Sequence, residues 1–199
     1  MEEAFTEIYK KNKWGDGSGS GSNMTPDNKK YIETLEGIIT DYKIKRVCDV
    51  GCGDWKFSQY VNWGKTSYLG IDCVKSVIDA NKKNFKKKGI RFQHKALDAD
   101  YIPEGYDLII LKDVIQHWED EDILKFMQSV VDKNKYVFLT NGYKFMRSPE
   151  KNKLTKRNIQ NPYRYHPVDI DKYPLNAIEM KVLQKTERRA KQMLLVESS

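Results

Sequence analysis

The chain has 199 residues, 39% of them hydrophobic and 12% aromatic, enough to bury one core and too few to require a second domain. No apolar run approaches the roughly 18 residues of a membrane-spanning helix, which excludes that class. The net charge of +7 leaves room for an acidic or phosphate-bearing partner, yet much of it falls in one run, Asn81 to Lys88, where the lysines fit the polar side of an amphipathic helix.

In chain order, residues 1–24 read as an N-terminal arm or lid. Phe5, Ile8, Tyr9, Asn12, Trp14 and Gly15 lead into the strip Ser18-Gly19-Ser20-Gly21-Ser22, whose backbone N–H groups and hydroxyls can fold over a ligand carboxylate. A plain flexible linker is the alternative for that strip. Residues 25–199 read as one domain. Thr25-Pro26 is a helix start, with Tyr31, Leu35, Ile38, Ile39 and Tyr42 at helical spacing after it. The pattern then predicts a strand over 46–50, a helix over 56–62, a strand over 67–72, a helix over 74–88, and strands over 90–97 and 106–112. A helix over 120–132 follows, with Ile123, Leu124, Met127, Val130 and Val131 as its apolar face, then a strand over 136–140. A long polar and aromatic stretch from 141 to 174 separates these from two alternating segments, 177–186 and 190–197, spaced as an antiparallel hairpin. Strands alternating with helices predict a parallel sheet with right-handed crossovers.

The chemistry is signalled most strongly at Val47-Cys48-Asp49-Val50-Gly51-Cys52-Gly53-Asp54-Trp55. An apolar strand runs there into an acid and two close glycines, which lets a nucleotide-like ligand lie against the main chain. A helix directly after the turn would present its unpaired N–H groups to the same ligand. The second strand ends in Asp72, 23 residues after Asp49, close to the spacing at which a carboxylate reaches a ribose diol. Cys48, Cys52 and Cys73 fall in or beside expected buried strands with no second Cys or His pair at ligand spacing. That argues against structural zinc and for a reduced, cytoplasmic setting, and Met1-Glu2-Glu3-Ala4-Phe5 lacks a secretory pattern.

With Asp49-x-Gly51-x-Gly53, an acid closing the second strand, Leu97-Asp98-Ala99-Asp100 after the third and a terminal hairpin, the chain resembles the class I S-adenosylmethionine-dependent methyltransferases. The resemblance implies an α/β, Rossmann-like fold: a seven-stranded, mostly parallel sheet ending in an antiparallel hairpin, with helices on both faces. Dehydrogenase-type Rossmann domains share the early features, but their third glycine is absent here: Trp55 and Lys56 follow Gly53-Asp54. Close packing of a helix on that turn must then be achieved differently. Three local motifs carry a finer resemblance: Phe5 to Gly15 with the Gly/Ser strip, Lys112-Asp113-Val114-Ile115-Gln116-His117-Trp118, and Asn158-Ile159 followed by Tyr163 to Asp169. Together they are similar to methyltransferases found beside glycosyltransferases in glycan-building systems, including chlorella viruses and other large DNA viruses of algae.

What the resemblance implies is O-methylation of a sugar hydroxyl, a deoxyhexose such as rhamnose being the first acceptor to test. Covalently linked glycosyltransferase domains are implied as partners, and host cytoplasm as the location if the chain is viral. By the same resemblance Asp72 accepts the ribose hydroxyls of S-adenosylmethionine, and Asp98 with the Ala99 backbone holds its adenine. Gly51, Cys52, Gly53, Cys73 and Lys112 line its path, Asp49 orients the loop, and Trp14, Ser20 and Gly21 close over it.

His117, just past the fourth strand and with an ordinary pKa near 6.5, is the candidate general base. Asp113 is its candidate partner, or the base itself. Trp118, Tyr143, Arg164, Tyr165 and His166 are candidate acceptor-binding residues, and His94 falls in mid-strand. Asp98, Asp100, Asp113 and Asp169 form no compact ligand pattern, so no metal is expected. Two other readings stay open. One is an RNA or protein methyltransferase, although the Asn/Asp-Pro-Pro-aromatic run of base-methylating enzymes is replaced by Lys112-Asp113-Val114-Ile115, so nucleic acid is not the expected partner. The other is a non-catalytic cofactor-binding scaffold.

Overall fold

A computed structural model describes residues 2–15, 17–96, 101, 103–144, 167–188 and 190–198. The chain divides into two compact units, residues 1–97 and 98–199.

The first unit opens with α1 (Glu2–Lys10), a 3-10 turn at Ser20–Ser22 and α2 (Pro26–Asp41). Thr25 caps α2, its side-chain oxygen accepting the Asn28 N–H, and Pro26 occupies the first turn, where a missing N–H costs nothing. Tyr31, Ile32, Leu35 and Ile38 supply its buried face. Three parallel strands follow, β1 (Arg46–Val50), β2 (Ser67–Asp72) and β3 (Ile90–His94), in the order β3-β2-β1, with α3 (Lys75–Asn84) between the last two.

Three expectations need correction in this unit: the strand predicted over 90–97 gives way after His94, which therefore stands at its end and not in mid-strand, and two concern helices. Between β1 and β2, where a helix over 56–62 is predicted, only a 3-10 turn at Ser58–Tyr60 forms. Trp55 leaves the glycine turn in the left-handed region at φ 56°, and hydrogen bonding then tightens to the i−3 partner, Tyr60 N–H to Phe57 O and Val61 N–H to Ser58 O. The Trp63 indole N–H occupies the Ser58 carbonyl as well, at 3.1 Å. Helix α3 is also shorter than predicted. Phe85 turns out of it and sets its ring 4.9 Å from Trp55, in a cluster that includes Phe92 and Tyr68.

In the second unit β4 (Leu108–Lys112) is followed by a 3-10 turn at Ile115–His117, α4 (Asp120–Lys133) and β5 (Tyr136–Gly142). A 3-10 turn at Leu175–Ala177 precedes the hairpin β6 (Met180–Arg188) and β7 (Lys191–Ser198). The order is β4-β5-β7-β6; β4 and β5 are parallel, and β7 is antiparallel to both β5 and β6. Strand β4 starts at Leu108, not at the predicted Tyr106, because the Tyr106 N–H is taken by the Asn134 side chain at 3.0 Å. On α4 the buried positions are Ile123, Phe126, Met127, Val130 and Val131; Phe126 takes the place predicted for Leu124.

Strand β6 is the outer edge of this unit. It is exposed along most of its length, rich in Lys, Glu and Arg, and its register shifts between Val182 and Gln184. Seven mostly parallel strands ending in an antiparallel hairpin are therefore present, as the alternating pattern implies. Among the described residues no helix is long and apolar enough to cross a membrane.

Candidate active site

In the first unit the glycine turn is fastened to the end of β2. The Gly51 and Cys52 N–H groups both donate to the Ile71 carbonyl, at 2.8 and 3.0 Å, which requires the left-handed backbone that Gly51 adopts at φ 76°. The Gly53 peptide is held at both ends: its N–H donates to Asp72 Oδ2 at 3.0 Å, and its carbonyl accepts Asn81 Nδ2 at 2.7 Å. The other Asp72 oxygen accepts the Val74 N–H at 2.9 Å. Asp49, at the end of β1, accepts the Tyr68 hydroxyl at 2.7 Å.

Both aspartates are only 7% exposed. Burial pushes the Asp72 carboxyl above its usual value, against the pull of the Val74 and Gly53 N–H groups. Asp72 Oδ2 accepts the Gly53 N–H and Oδ1 the Val74 N–H, and the Cys73 N–H adds to their pull on the carboxylate. A buried carboxylate with acceptor capacity fits a vicinal diol, whose two hydroxyls would donate to it.

The arm reaches the same turn. The Tyr9 hydroxyl lies 2.5 Å from Ser18 Oγ, and burial, together with the charge of Asp72, pushes its pKa far up, so Tyr9 stays neutral. Ser18 N–H donates to Asp54 Oδ2 at 2.8 Å, and Asp54 N–H donates to Ser18 Oγ at 2.9 Å. The Trp14 ring meets Phe5 at a tilt and Tyr9 edge-on, with centroids 5.7 and 5.9 Å apart. Gly21 and Asn23 present their carbonyls to Asn28 Nδ2 at 2.7 Å each. A groove of about 410 Å³ runs beside the arm, lined by Tyr9, Gly17, Asp54 and Lys56 and, from α3, by residues that include the buried Val77 and Asn81; neither Asp49 nor Asp72 lines it.

The Cys52 sulfur packs where a side chain on Gly70 would stand, with 2.9 Å separating it from that position. Burial raises all three thiols, Cys73 to about 12, so none carries appreciable thiolate at neutral pH. His94 closes β3, its Nε2 3.1 Å from Glu2 Oε1 and 3.0 Å from the Cys73 carbonyl; it joins the arm to the strand.

In the second unit Asp113 follows β4 in a left-handed conformation, φ 61°, with its N–H on the Thr140 carbonyl at 2.8 Å. Lys112 Nζ lies 3.1 Å from its carboxylate, and Lys191 Nζ binds both carboxylate oxygens. Burial alone would push this carboxyl up, but the two ammonium groups outweigh it and hold Asp113 well below the usual range. Asp113 is thus paired with two lysines. Lys112, expected on the cofactor path, spends its ammonium on Asp113.

His117 closes the 3-10 turn after β4 and is partly exposed. Trp118 is 2% exposed with its ring against Phe126 at 4.9 Å, so it is a core residue and offers an acceptor no face. Tyr143 is partly exposed, and its hydroxyl helps hold the Glu187 carboxyl below its usual value. Asp98, Ala99, Arg164, Tyr165 and His166 lie outside the described residues.

Several residues of these clusters were not singled out from sequence: Tyr9's contact, Asp54, Asn81, Lys191 and the pair Thr140-Asn141. Among the described residues Thr140 Oγ1 and both amide atoms of Asn141 are buried and meet no hydrogen-bond partner. Two polar residues ending an otherwise apolar strand were the available signal. Among the described residues no group of three or more His, Cys, Asp or Glu could hold a metal ion.

A family model described as a methyltransferase domain matches residues 42–193, most of the chain. The chain belongs to this methyltransferase family. The methyltransferase is 26% identical over 161 residues to a ubiquinone biosynthesis O-methyltransferase of Pelagibacter ubique, and 21% identical over 145 residues to one from Aeromonas salmonicida. Those alignments cover 73% and 68% of this chain but only 65% and 61% of the relatives. Its fold matches magnesium protoporphyrin IX methyltransferase from Synechocystis with bound SAH, at TM-score 0.66, 16% identity and coverage of 98% and 95% of the two chains. An S-adenosylmethionine-dependent methyltransferase from Clostridium acetobutylicum matches at TM-score 0.64 and 14% identity, with 97% of each chain covered.

Proposed function

We propose that this methyltransferase moves a methyl group from S-adenosylmethionine to a hydroxyl oxygen. The cofactor supplies an electrophilic methyl on a sulfonium; the chain must bind it, orient it and remove a proton from the acceptor. The observation that carries the reading is the Asp72 carboxylate, buried at the end of β2 and tied to Gly53 and Val74 N–H groups, with hydrogen-bonding capacity suited to a ribose diol. Asp49 steadies the turn, and Gly51, Cys52, Gly53 and Cys73 line the cofactor's path. Asp98 and Ala99 serve the adenine, and Trp14, Ser20 and Gly21 of the arm, residues 1–24, close over the cofactor carboxylate.

His117 is the general base. With Asp113 held as a carboxylate between Lys112 and Lys191, proton removal falls to the imidazole, and Asp113 serves the site as a fixed negative charge. That both curated relatives are O-methyltransferases supports oxygen as the nucleophile. The acceptor favoured by the local motifs is a sugar hydroxyl of a glycan, with a deoxyhexose first and Tyr143, Arg164, Tyr165 and His166 as its contacts. Glycosyltransferase domains acting in the cytoplasm would then supply the glycan. A hydroxyl on a ubiquinone precursor is the second reading, favoured by the relatives' named role.

Methyl-labelled cofactor offered with a panel of glycosides, dihydroxylated aromatics and RNA decides among these, read as labelled product by mass spectrometry. Label on glycosides supports the first acceptor, and label on aromatics the second. Label on RNA alone refutes the small-hydroxyl reading, and binding without transfer to any acceptor would point to a scaffold. His117→Ala is expected to lower turnover about 10²–10⁴-fold while leaving cofactor affinity unchanged; equal turnover removes His117 from the mechanism.

A further inference from the structure

We propose that Asp54 is a positioning residue that latches the Gly/Ser strip onto the glycine turn and thereby sets cofactor affinity. The inference rests on the reading that this strip covers the cofactor. Residues 36 apart in sequence meet here through a reciprocal pair: Ser18 N–H donates to Asp54 Oδ2 at 2.8 Å and Asp54 N–H donates to Ser18 Oγ at 2.9 Å. Ser22 adds a longer contact from its hydroxyl to the same Asp54 oxygen, 3.4 Å, while also holding the Gly19 carbonyl at 3.0 Å. The Tyr9 hydroxyl meets Ser18 Oγ from α1, so arm, strip and turn converge on one serine.

The close approach leaves no space for side chains. A Cβ on Gly17 would stand 2.1 Å from Asp54 Oδ2, and one on Gly53 would stand 2.6 Å from Ser18 Oγ. Gly17 is moreover left-handed at φ 65°. A Gly/Ser sequence by itself is a flexible coil and gains nothing from closing. What closes it here is a carboxylate, and hydrogen bonds to an ionised group are stronger than those between neutral partners. Asp54 keeps part of its surface open, its side chain 15% exposed beside Lys56 at 3.6 Å, so the latch can release without unfolding the core.

Coupling to the cofactor follows from population arithmetic. Apparent affinity is the intrinsic affinity multiplied by the fraction of molecules whose strip is closed. Removing the carboxylate should lower that fraction about tenfold or more, and the dissociation constant rises by the same factor.

The test uses the full chain as wild type, Asp54→Asn, Asp54→Ala and Gly17→Ala, with S-adenosylhomocysteine as probe. Calorimetry should give a dissociation constant about tenfold or more higher for Asp54→Ala and Gly17→Ala, and a smaller rise for Asp54→Asn, which keeps one acceptor. Tryptic cleavage after Lys13, at the root of the strip, should accelerate in the same order, and saturating probe should restore protection. Thermal midpoints close to wild type exclude general unfolding as the cause. Equal tryptic rates in wild type and Asp54→Ala overturn the latch, and faster cleavage with unchanged affinity overturns its coupling to the cofactor. If wild type itself binds no probe, the cofactor reading fails instead, and the tryptic rates still decide the latch.

Discussion

Asn81 offers a sharp test of how the glycine turn is held. It is 2% exposed on the inner side of α3, and its Nδ2 donates to the Gly53 carbonyl at 2.7 Å. Truncation in Asn81→Ala removes the donor but leaves the carbonyl buried, a loss worth about 1–3 kcal/mol. In a chain of this length each kcal/mol moves the thermal midpoint by about 2–4 °C, so a fall of about 2–12 °C is expected. Asn81→Asp keeps the size but sets a carboxylate against a carbonyl oxygen, and should cost more than Ala. Urea unfolding measures the stability change, and calorimetry with S-adenosylhomocysteine measures its functional side. Affinity should drop in both variants, because the Gly53 N–H that meets Asp72 belongs to a loop then held at one end only. Stabilities of both variants within about 0.5 kcal/mol of wild type, the range of neutral surface substitutions, would refute the reasoning.

Asp72→Ala should abolish tight cofactor binding, and wild-type affinity should weaken as pH falls through the raised Asp72 value, because a protonated carboxyl accepts hydroxyls poorly. For the unliganded fold the sign is opposite: a carboxyl whose folded pKa is raised favours folding most below its unfolded value of about 3.9, and that contribution is lost as pH rises through the folded value. Affinity that stays flat as pH falls through the raised Asp72 value would count against Asp72 as the ribose ligand. Asp113 behaves in reverse. Its depressed pKa contributes stability that is fully present above about 3.9 and lost as pH falls toward the folded value. Lys191→Met should move the acid-unfolding midpoint upward, followed by circular dichroism, and the same substitution in an Asp113→Asn background should move it little. An identical shift in both backgrounds would show that Lys191 acts elsewhere.

The strands, their order of appearance and the terminal hairpin were legible because each is a short apolar run between turn residues. The acids and glycines at the ends of β1 and β2 were legible because they break those runs. The helix expected after the glycine turn was not found, since amphipathic spacing over 56–62 says nothing of Trp55, whose left-handed backbone and four-ring cluster redirect the chain. The role of Asn81 was not legible because its partner is a backbone carbonyl 28 residues earlier. Asp113 was singled out from sequence, but one of the two lysines that depress its pKa comes from position 191, across 78 residues of chain. Trp118 shows the converse error: an aromatic beside a candidate base suggested stacking, whereas packing against Phe126 decides its place.

Strand β6 ends the sheet of its unit with Lys181, Lys185, Glu187 and Arg188 on a border interrupted by a change of register. A further chain adding there would have to dehydrate those charges and match an irregular ladder. Self-association by prolonging the sheet is thus disfavoured, and the hairpin can face crowded solution without recruiting copies of itself.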